Sequence, residues 1–233
     1  MSQKYKILGL LGDGIADEII PEGLNVLKAV EDKFGLDLEI LGPYPVGAKY
    51  WVDHDLKRGW PEDLTEELFY EADAIFKGPT GLPGLVGKLP GYYTPIKMRT
   101  ELDLYANIRP CRLRPGVKSV LVWRKPGDID YIILRENTEQ MYVNIGGFMK
   151  RGGETELAID NYVQTKKGCE RIIKYGFNLA RSSEYKGKIG APLDGKRRLT
   201  CACKWGLTKG DDLFKDSYEK IAKENKDIER DST

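Results

Sequence analysis

Residues 6–14 read KILGLLGDG, and this stretch decides the class of fold. Its apolar part, Lys6 to Leu11, predicts a buried strand, and the GDG that follows predicts a tight turn. Ile15 to Phe34 then carries apolar side chains at helical spacing, with Pro21 in the first turn of the helix proper. The chain therefore begins with a strand, a turn and a helix.

The rest of the first hundred residues repeats this alternation. Two further strands are predicted, at Leu36 to Leu41 and at Ala72 to Phe76. A helix is predicted to start at Pro61-Glu62-Asp63. Alternating strands and helices predict an α/β fold with a parallel sheet covered by helices on both faces. We assign residues 1–104 to the first half of a large α/β domain.

Beyond residue 100 the pattern changes, and we assign residues 105–233 to a smaller α/β domain. The predicted strands are Leu104 to Arg109, Tyr131 to Arg135, Met141 to Ile145 and Leu199 to Cys203. Helices are predicted at Asp160 to Arg181 and at Leu213 to Ala222. Gly146-Gly147 begins a polar section that predicts a projecting hairpin or an arm, near residues 142–156. The polar tail, ENKDIERDST, stops without a signal that closes a helix or a strand.

Two stretches resemble phosphate-binding motifs, but neither has the residues that its motif requires. After Gly12 and Gly14 the third glycine of GxGxxG falls on Asp17, an acid aimed at a pyrophosphate. Residues 81–88, GLPGLVGK, have the wrong glycine spacing and no Ser or Thr after Lys88. The fold class is therefore not a GxGxxG Rossmann domain.

Composition excludes several classes of function. With 37 basic and 36 acidic residues the formal charge is +1, so neither nucleic acid nor membrane is predicted as a partner. The four cysteines form no CxxC pair, and reduced, packed thiols fit a cytoplasmic protein. His54 is the only histidine, which argues against a His-rich metal site and a Ser-His triad.

Three arginines stand apart from the ordinary surface charges. Arg99 and Arg109 bracket RTELDLYANIR, and Arg135 opens RENTEQMY, which ends at Tyr142. Arginine grips carboxylates through a planar fork of donors, so several converging arginines favour a small polyanionic acid as ligand. Each could instead be a surface or ion-paired residue.

The sequence motifs around these arginines resemble those of a known protein family. LGDGI, RTELDLYANIRP, KPGDIDYIILRENTE and CACK resemble the decarboxylating isocitrate/isopropylmalate dehydrogenase family. PEGLNVLKA, RKPGDIDY, VNIGG and TKKGCERIIKYGFNLARS are most similar to its D-malate/tartrate dehydrogenase branch. The resemblance covers essentially the whole chain but only about the first two thirds of a family member. It implies an isopropylmalate dehydrogenase-like two-domain α/β fold, here incomplete at the C-terminus.

The resemblance also implies an activity and its residues. Members oxidise and decarboxylate a 2-hydroxy dicarboxylate with NAD or NADP and Mg²⁺ or Mn²⁺, and they act as dimers. Carried over, Arg99, Arg109 and Arg135 bind the substrate, Tyr142 and Lys204 are catalytic, and residues 146–156 form the arm that pairs the subunits. The lysine would remove the hydroxyl proton, and the tyrosine would protonate the enol carbon. The family's metal ligands and adenine-binding loop lie beyond Thr233, so no metal ligand and no cofactor-binding residue is assigned in this chain.

Several positions depart from the family pattern. Gln140 stands where RENTEG has its glycine, and Trp205-Gly206 lacks the asparagine expected near the nicotinamide. Tyr92, Tyr93, Pro95 and Ile96 match neither the isocitrate nor the isopropylmalate pattern, which favours D-malate or tartrate.

Two interpretations remain open. In the first, the chain is part of a complete dehydrogenase and is inactive by itself. In the second, it is a non-catalytic regulatory or scaffold subunit, or an inactive fragment. Isocitrate and 3-isopropylmalate stay open as alternative substrates, and the cofactor and metal are not fixed.

Overall fold

The computed structural model describes residues 3–54, 59–85, 94–143, 145–182 and 196–232. The chain divides into two compact units, Met1–Asp103 and Leu104–Thr233. None of the helices in these described ranges is long and apolar enough to cross a membrane.

The first unit is built on a three-stranded parallel sheet. Its strands run in the spatial order β2-β1-β3 and are β1 (Lys4–Leu10), β2 (Asp37–Tyr44) and β3 (Ala74–Lys77). Its helices are α1 (Ala16–Phe34), α2 (Ala48–Asp53), α3 (Glu66–Glu71) and α4 (Thr94–Glu101).

Helices pack on both faces of this sheet. On one face Leu8 and Leu10 are fully buried in a cluster that includes Phe69 of α3 and Met98 of α4. On the other face Phe76 lies against α1 so closely that a side chain at Gly23 would collide with its ring. The predicted α/β class is confirmed.

Three details of the first unit differ from prediction. Helix α1 begins at Ala16, well before Pro21, because Asp13 and Ile15 already supply carbonyl acceptors for its first turn. The helix predicted from Pro61 begins only at Glu66, since Thr65 is extended, with φ −79° and ψ 160°. Helix α2 was not predicted at all.

The second unit contains two antiparallel strand pairs. β4 (Ala106–Arg112) pairs with β5 (Asp130–Glu136), and β6 (Gly146–Arg151) forms a hairpin with β7 (Glu154–Asp160). The hairpin alternative predicted from Gly146-Gly147 is thus the one observed. A third, parallel pair joins β8 (Arg198–Cys201) to β9 (Glu229–Ser232).

Two helices close the core of this unit. They are α5 (Lys166–Arg181) and α6 (Lys209–Glu224), and each is capped by a threonine. The hydroxyl of Thr165 accepts from Gly168 N at 3.0 Å, and that of Thr208 accepts from Asp211 N at 3.1 Å. Between the helices Phe177 and Tyr218 stack with ring centroids 6.0 Å apart.

Two predictions for the second unit are wrong, and one strand was not predicted. Met141–Val143 is a 3₁₀ turn rather than a strand, because Gln140 reverses the chain with φ 64°. Helix α5 starts at Lys166 and not at Asp160, since residues 154–160 pair as β7. Strand β9, in the polar tail, was not predicted, because its exposed side chains give no apolar pattern.

Candidate active site

Arg135 and Tyr142 are brought together where β5 leads into the 3₁₀ turn. Arg135 Nη2 donates to the Tyr142 hydroxyl at 2.8 Å, and the guanidinium carbon lies 5.1 Å from the centre of the ring. The reversal at Gln140 makes this contact possible, because it folds the seventh residue after Arg135 back onto it. Among the described residues, Arg135 Nε is buried and has no hydrogen-bond partner.

Two asparagines connect this pair to Arg109. The register of β4 and β5 places Asn107 opposite Arg135. Asn137 Oδ1 accepts from Arg135 Nη2 at 3.1 Å and from Asn107 Nδ2 at 3.3 Å, while Arg109 Nε donates to Asn107 Oδ1 at 2.9 Å. Asn137 is buried and also donates to the carbonyl of Leu104 at 3.3 Å. Amide side chains thus hold two predicted substrate arginines in one network.

Two carboxylates, of which Glu136 is buried, fix the loop that follows Arg135. Glu136 accepts from the hydroxyl of Thr138 at 2.7 Å and from the backbone N–H of Glu139 at 2.8 Å. Glu139 accepts in turn from Thr165 N at 2.8 Å, at the start of α5. The loop is therefore anchored to a helix N-terminus, and the position of Tyr142 follows from that anchor.

Lys204 lies in the same unit, in the turn after β8, and its side chain is exposed. Its carbonyl accepts from Leu207 N at 3.2 Å, and Gly206 adopts φ 82°, which closes the turn. Trp205 next to it is 57% exposed. The lysine and the departure noted at Trp205-Gly206 therefore sit on one exposed turn.

Arg99 belongs to the first unit, on α4. In this unit Lys77 is a candidate functional residue that was not predicted from the sequence. It ends β3 and donates to the carbonyl of Gly78 at 2.6 Å and to the Thr80 hydroxyl at 3.3 Å. Burial lowers the pKa of Lys77, with Arg99 acting in the same direction and Asp13 against it. A lysine at the carboxyl end of a predicted strand was the signal that could have revealed it.

The turn between β1 and α1 does not fit a dinucleotide pyrophosphate. The carboxylate of Asp13 is buried and accepts from the N–H groups of Ala48, Lys49 and Gly81, at 2.8, 2.9 and 2.6 Å. Asp17 and Glu18 occupy the first turn of α1, where they oppose binding of an anion. This geometry agrees with the rejection of a GxGxxG site.

Other predicted features lack a described counterpart. Tyr92 and Tyr93 lie outside the described residues, as do residues 86–88 of the second phosphate-like motif. Within the described part of the chain, no group of three or more His, Cys, Asp or Glu residues could hold a metal ion. A divalent cation therefore finds no ligand set among these residues.

Comparison with known proteins supplies the family. Residues 6–232 match the family described as isocitrate/isopropylmalate dehydrogenase. The chain is 39% identical over 189 residues to the tartrate dehydrogenase/decarboxylase of Pseudomonas putida, covering 79% of this chain and 50% of that protein. It is 38% identical over 183 residues to the decarboxylating D-malate dehydrogenase of Escherichia coli strain K12, covering 78% and 50%.

A solved structure agrees with these sequence matches. The isocitrate dehydrogenase from Methylococcus capsulatus superposes with a TM-score of 0.77 at 29% identity, covering 98% of this chain and 60% of that one. The predicted isopropylmalate dehydrogenase-like fold is confirmed, and the chain spans about half the length of the curated relatives it matches. By sequence and by fold, the chain belongs to the isocitrate/isopropylmalate dehydrogenase family of decarboxylating dehydrogenases.

Proposed function

We propose that the protein containing this chain oxidises and decarboxylates a small 2-hydroxy dicarboxylate, with D-malate or tartrate as the preferred substrate. The observation that supports the proposal is the hydrogen bond from Arg135 to Tyr142, because a guanidinium suits a carboxylate and a phenol beside it can donate a proton. Arg109, linked through Asn107 and Asn137, adds a second cation to the same network.

Each residue of the proposed site has a separate role. Arg135 and Arg109 hold substrate carboxylates, and Arg99 of the first unit is the third proposed substrate-binding residue. The Tyr142 oxygen accepts from Arg135, and a phenol O–H can also donate, so Tyr142 is the proposed donor of a proton to a substrate carbon. Lys204, exposed on its turn, takes the proton of the substrate hydroxyl from within a partner's site.

NAD, or alternatively NADP, is the proposed hydride acceptor, together with Mg²⁺ or Mn²⁺. The described residues offer neither a metal cluster nor a pyrophosphate turn. We therefore propose that the ligands of both groups lie outside the described residues. The 233-residue chain by itself is expected to be inactive.

A homodimer and a cytoplasmic location complete the proposal. Every residue of the β6–β7 hairpin is exposed, on both faces, which suits an arm that pairs with a second copy. All four cysteines are free thiols, in keeping with the cytoplasm.

A regulatory or scaffold subunit is the second candidate. The Trp205-Gly206 pair favours a scaffold subunit, because the turn beside Lys204 lacks the asparagine side chain expected near the nicotinamide. Gln140, which replaces the family's glycine, is weaker support for a scaffold subunit. It adopts the positive φ of 64° that suits a glycine, and the contact between Arg135 and Tyr142 still forms.

The deciding experiment is an activity assay of the complete protein with D-malate, tartrate, isocitrate and 3-isopropylmalate. NAD or NADP reduction is followed with Mg²⁺ or Mn²⁺ present. Tyr142→Phe is expected to lower kcat by about 10² to 10⁴, the usual contribution of a positioned proton donor. Tyr131→Phe, an exposed tyrosine on β5, is the matched control and should leave kcat unchanged. No turnover of any of the four acids would favour the scaffold.

A further inference from the structure

Two cysteines meet immediately before Lys204. Cys201 is the last residue of β8, and its Sγ lies 3.7 Å from Sγ of Cys203. Both are free thiols. Neither belongs to the proposed catalytic network, so this pair needs an explanation of its own.

The two thiols differ in surroundings. Cys201 is 3% exposed and packs in the core of the second unit, with its backbone paired to Ser232 of β9. Cys203 is only partly buried and lies beyond the end of the strand. Burial, followed by the nearness of Cys203, raises the pKa of Cys201 to about 12. An external oxidant therefore meets Cys203 first.

We propose that Cys201 and Cys203 are a redox-active dithiol that a low-molecular-weight disulfide, such as glutathione disulfide, converts into an intrachain disulfide. The Cys203 thiolate attacks one sulfur of the oxidant, forming a mixed disulfide and releasing one glutathione thiolate. Cys201 then attacks Cys203 Sγ, forming the protein disulfide and releasing the second. The two thiol protons end on two glutathione molecules, and the protein loses the two electrons that the oxidant gains.

Ring closure has a local consequence. The present 3.7 Å is a non-bonded contact, so the sulfurs must approach. Cys201 is fixed by the core and by β9, and Cys203 is therefore the residue that moves, together with the turn at Lys204 and Trp205. The effect on Lys204 as a catalytic group rests on the proposed function, whereas bond formation does not.

The test is mass spectrometry of the chain after incubation with glutathione disulfide. Trypsin cleavage after Arg198 and Lys204 releases Leu199–Lys204, LTCACK, which contains both cysteines. We expect this peptide to become lighter by two hydrogen atoms and to recover its mass with dithiothreitol. Cys203→Ser should abolish the loss, and Cys111→Ser, which changes a partly buried thiol on β4, should not.

A second readout follows the turn rather than the bond. Oxidation should change the fluorescence of the chain reversibly, and Trp205→Phe should remove most of that change. A peptide that stays dithiol in glutathione disulfide, or a bridge from Cys203 to Cys169 instead, would overturn the proposal. An unchanged Trp205 signal after complete oxidation would overturn the displacement of the turn. None of these outcomes depends on dehydrogenase activity.

Discussion

Gln140 lies two residues before Tyr142 and adopts φ 64°, one of two positive values among the described residues other than glycine. This conformation costs a residue with a side chain about 1–2 kcal/mol, because Cβ approaches the following carbonyl oxygen. Glycine is free of that strain but loses more conformational freedom on folding. We predict that Gln140→Gly raises the free energy of unfolding by about 1 kcal/mol, measured by urea denaturation.

Gln140→Ala is the matched control for this prediction. It removes the side chain beyond Cβ but keeps the strained conformation, so its stability should stay within about 0.5 kcal/mol of the wild type. The backbone contacts with Val163, at 2.7 and 3.4 Å, are available to all three residues. Equal stabilities of the Gly and Ala variants would show that φ at this position is not strained.

Tyr162 supplies a prediction about alkaline pH. Partial burial of the phenol, followed by its hydrogen bond to Asp211 at 3.1 Å, raises the pKa of Tyr162 to about 12. An unfolded tyrosine ionises near pH 10. The folded state therefore holds this proton more tightly, and the stability it contributes is complete below about pH 10 and is lost as pH rises towards 12.

Tyr162→Phe should make the fall in unfolding free energy shallower across this pH range. Chemical denaturation at several pH values measures the slope. Tyr131→Phe changes an exposed tyrosine of the same unit and should leave the slope as it is in the wild type. Identical slopes for the wild type and the Tyr162 variant would contradict the raised pKa.

The residues of the site were only partly predictable. Arg109, Arg135 and Tyr142 could be named because arginine forks and their neighbouring motifs leave a signal in the sequence. Asn107 and Asn137 could not, since an amide has no charge pattern and only the register of β4 and β5 brings the two together. The roles assigned to these residues, and to Arg99 and Lys204, remain predictions.

At the scale of elements, prediction succeeded where periodicity decides the structure. Strand β1 and helix α1 follow from an apolar run and from helical spacing. The failures share a cause, because tertiary contacts outweigh local pattern. Strand β9 is polar and exists through its pairing with β8, and the turn at Met141 depends on the conformation of Gln140.

Asp13 organises three loops of the first unit and carries an element-scale prediction. Its carboxylate accepts from the first two N–H groups of α2 and from Gly81, after β3, and a side chain at Gly47 would collide with it. Asp13→Ala leaves these donors without their acceptor at a site that is only 4% exposed. We predict a loss of about 3 kcal/mol in the stability of this unit, measured by denaturant unfolding.

Asp32→Ala is the control for charge alone. Asp32 is an exposed residue of α1, and its replacement by a good helix former should change stability by less than about 0.5 kcal/mol. A similarly small loss for Asp13→Ala would mean that solvent replaces the three hydrogen bonds. Either result separates the hydrogen bonds of Asp13 from its contribution to net charge.

For the whole molecule, the hairpin of β6 and β7 is a described element whose stability contacts within one chain do not explain. Met149 and Leu157 are opposite each other in the register, and Ile159 lies on the same face. All three are exposed, and an isolated two-stranded hairpin is marginally stable in water. Burial against a second copy would stabilise it by removing this apolar face from solvent.

We therefore predict that the chain associates and that the double variant Leu157→Lys, Ile159→Lys weakens the association at least about tenfold. Two charges on the apolar face would have to be buried in the dimer without partners, which is unfavourable. Light scattering coupled to gel filtration over a dilution series measures the shift. Val120→Lys places a charge at another apolar residue of this unit, 95% exposed, and should leave association unchanged. If Val120→Lys dissociates the dimer and the double variant does not, the contact lies in the loop between β4 and β5 rather than in the hairpin.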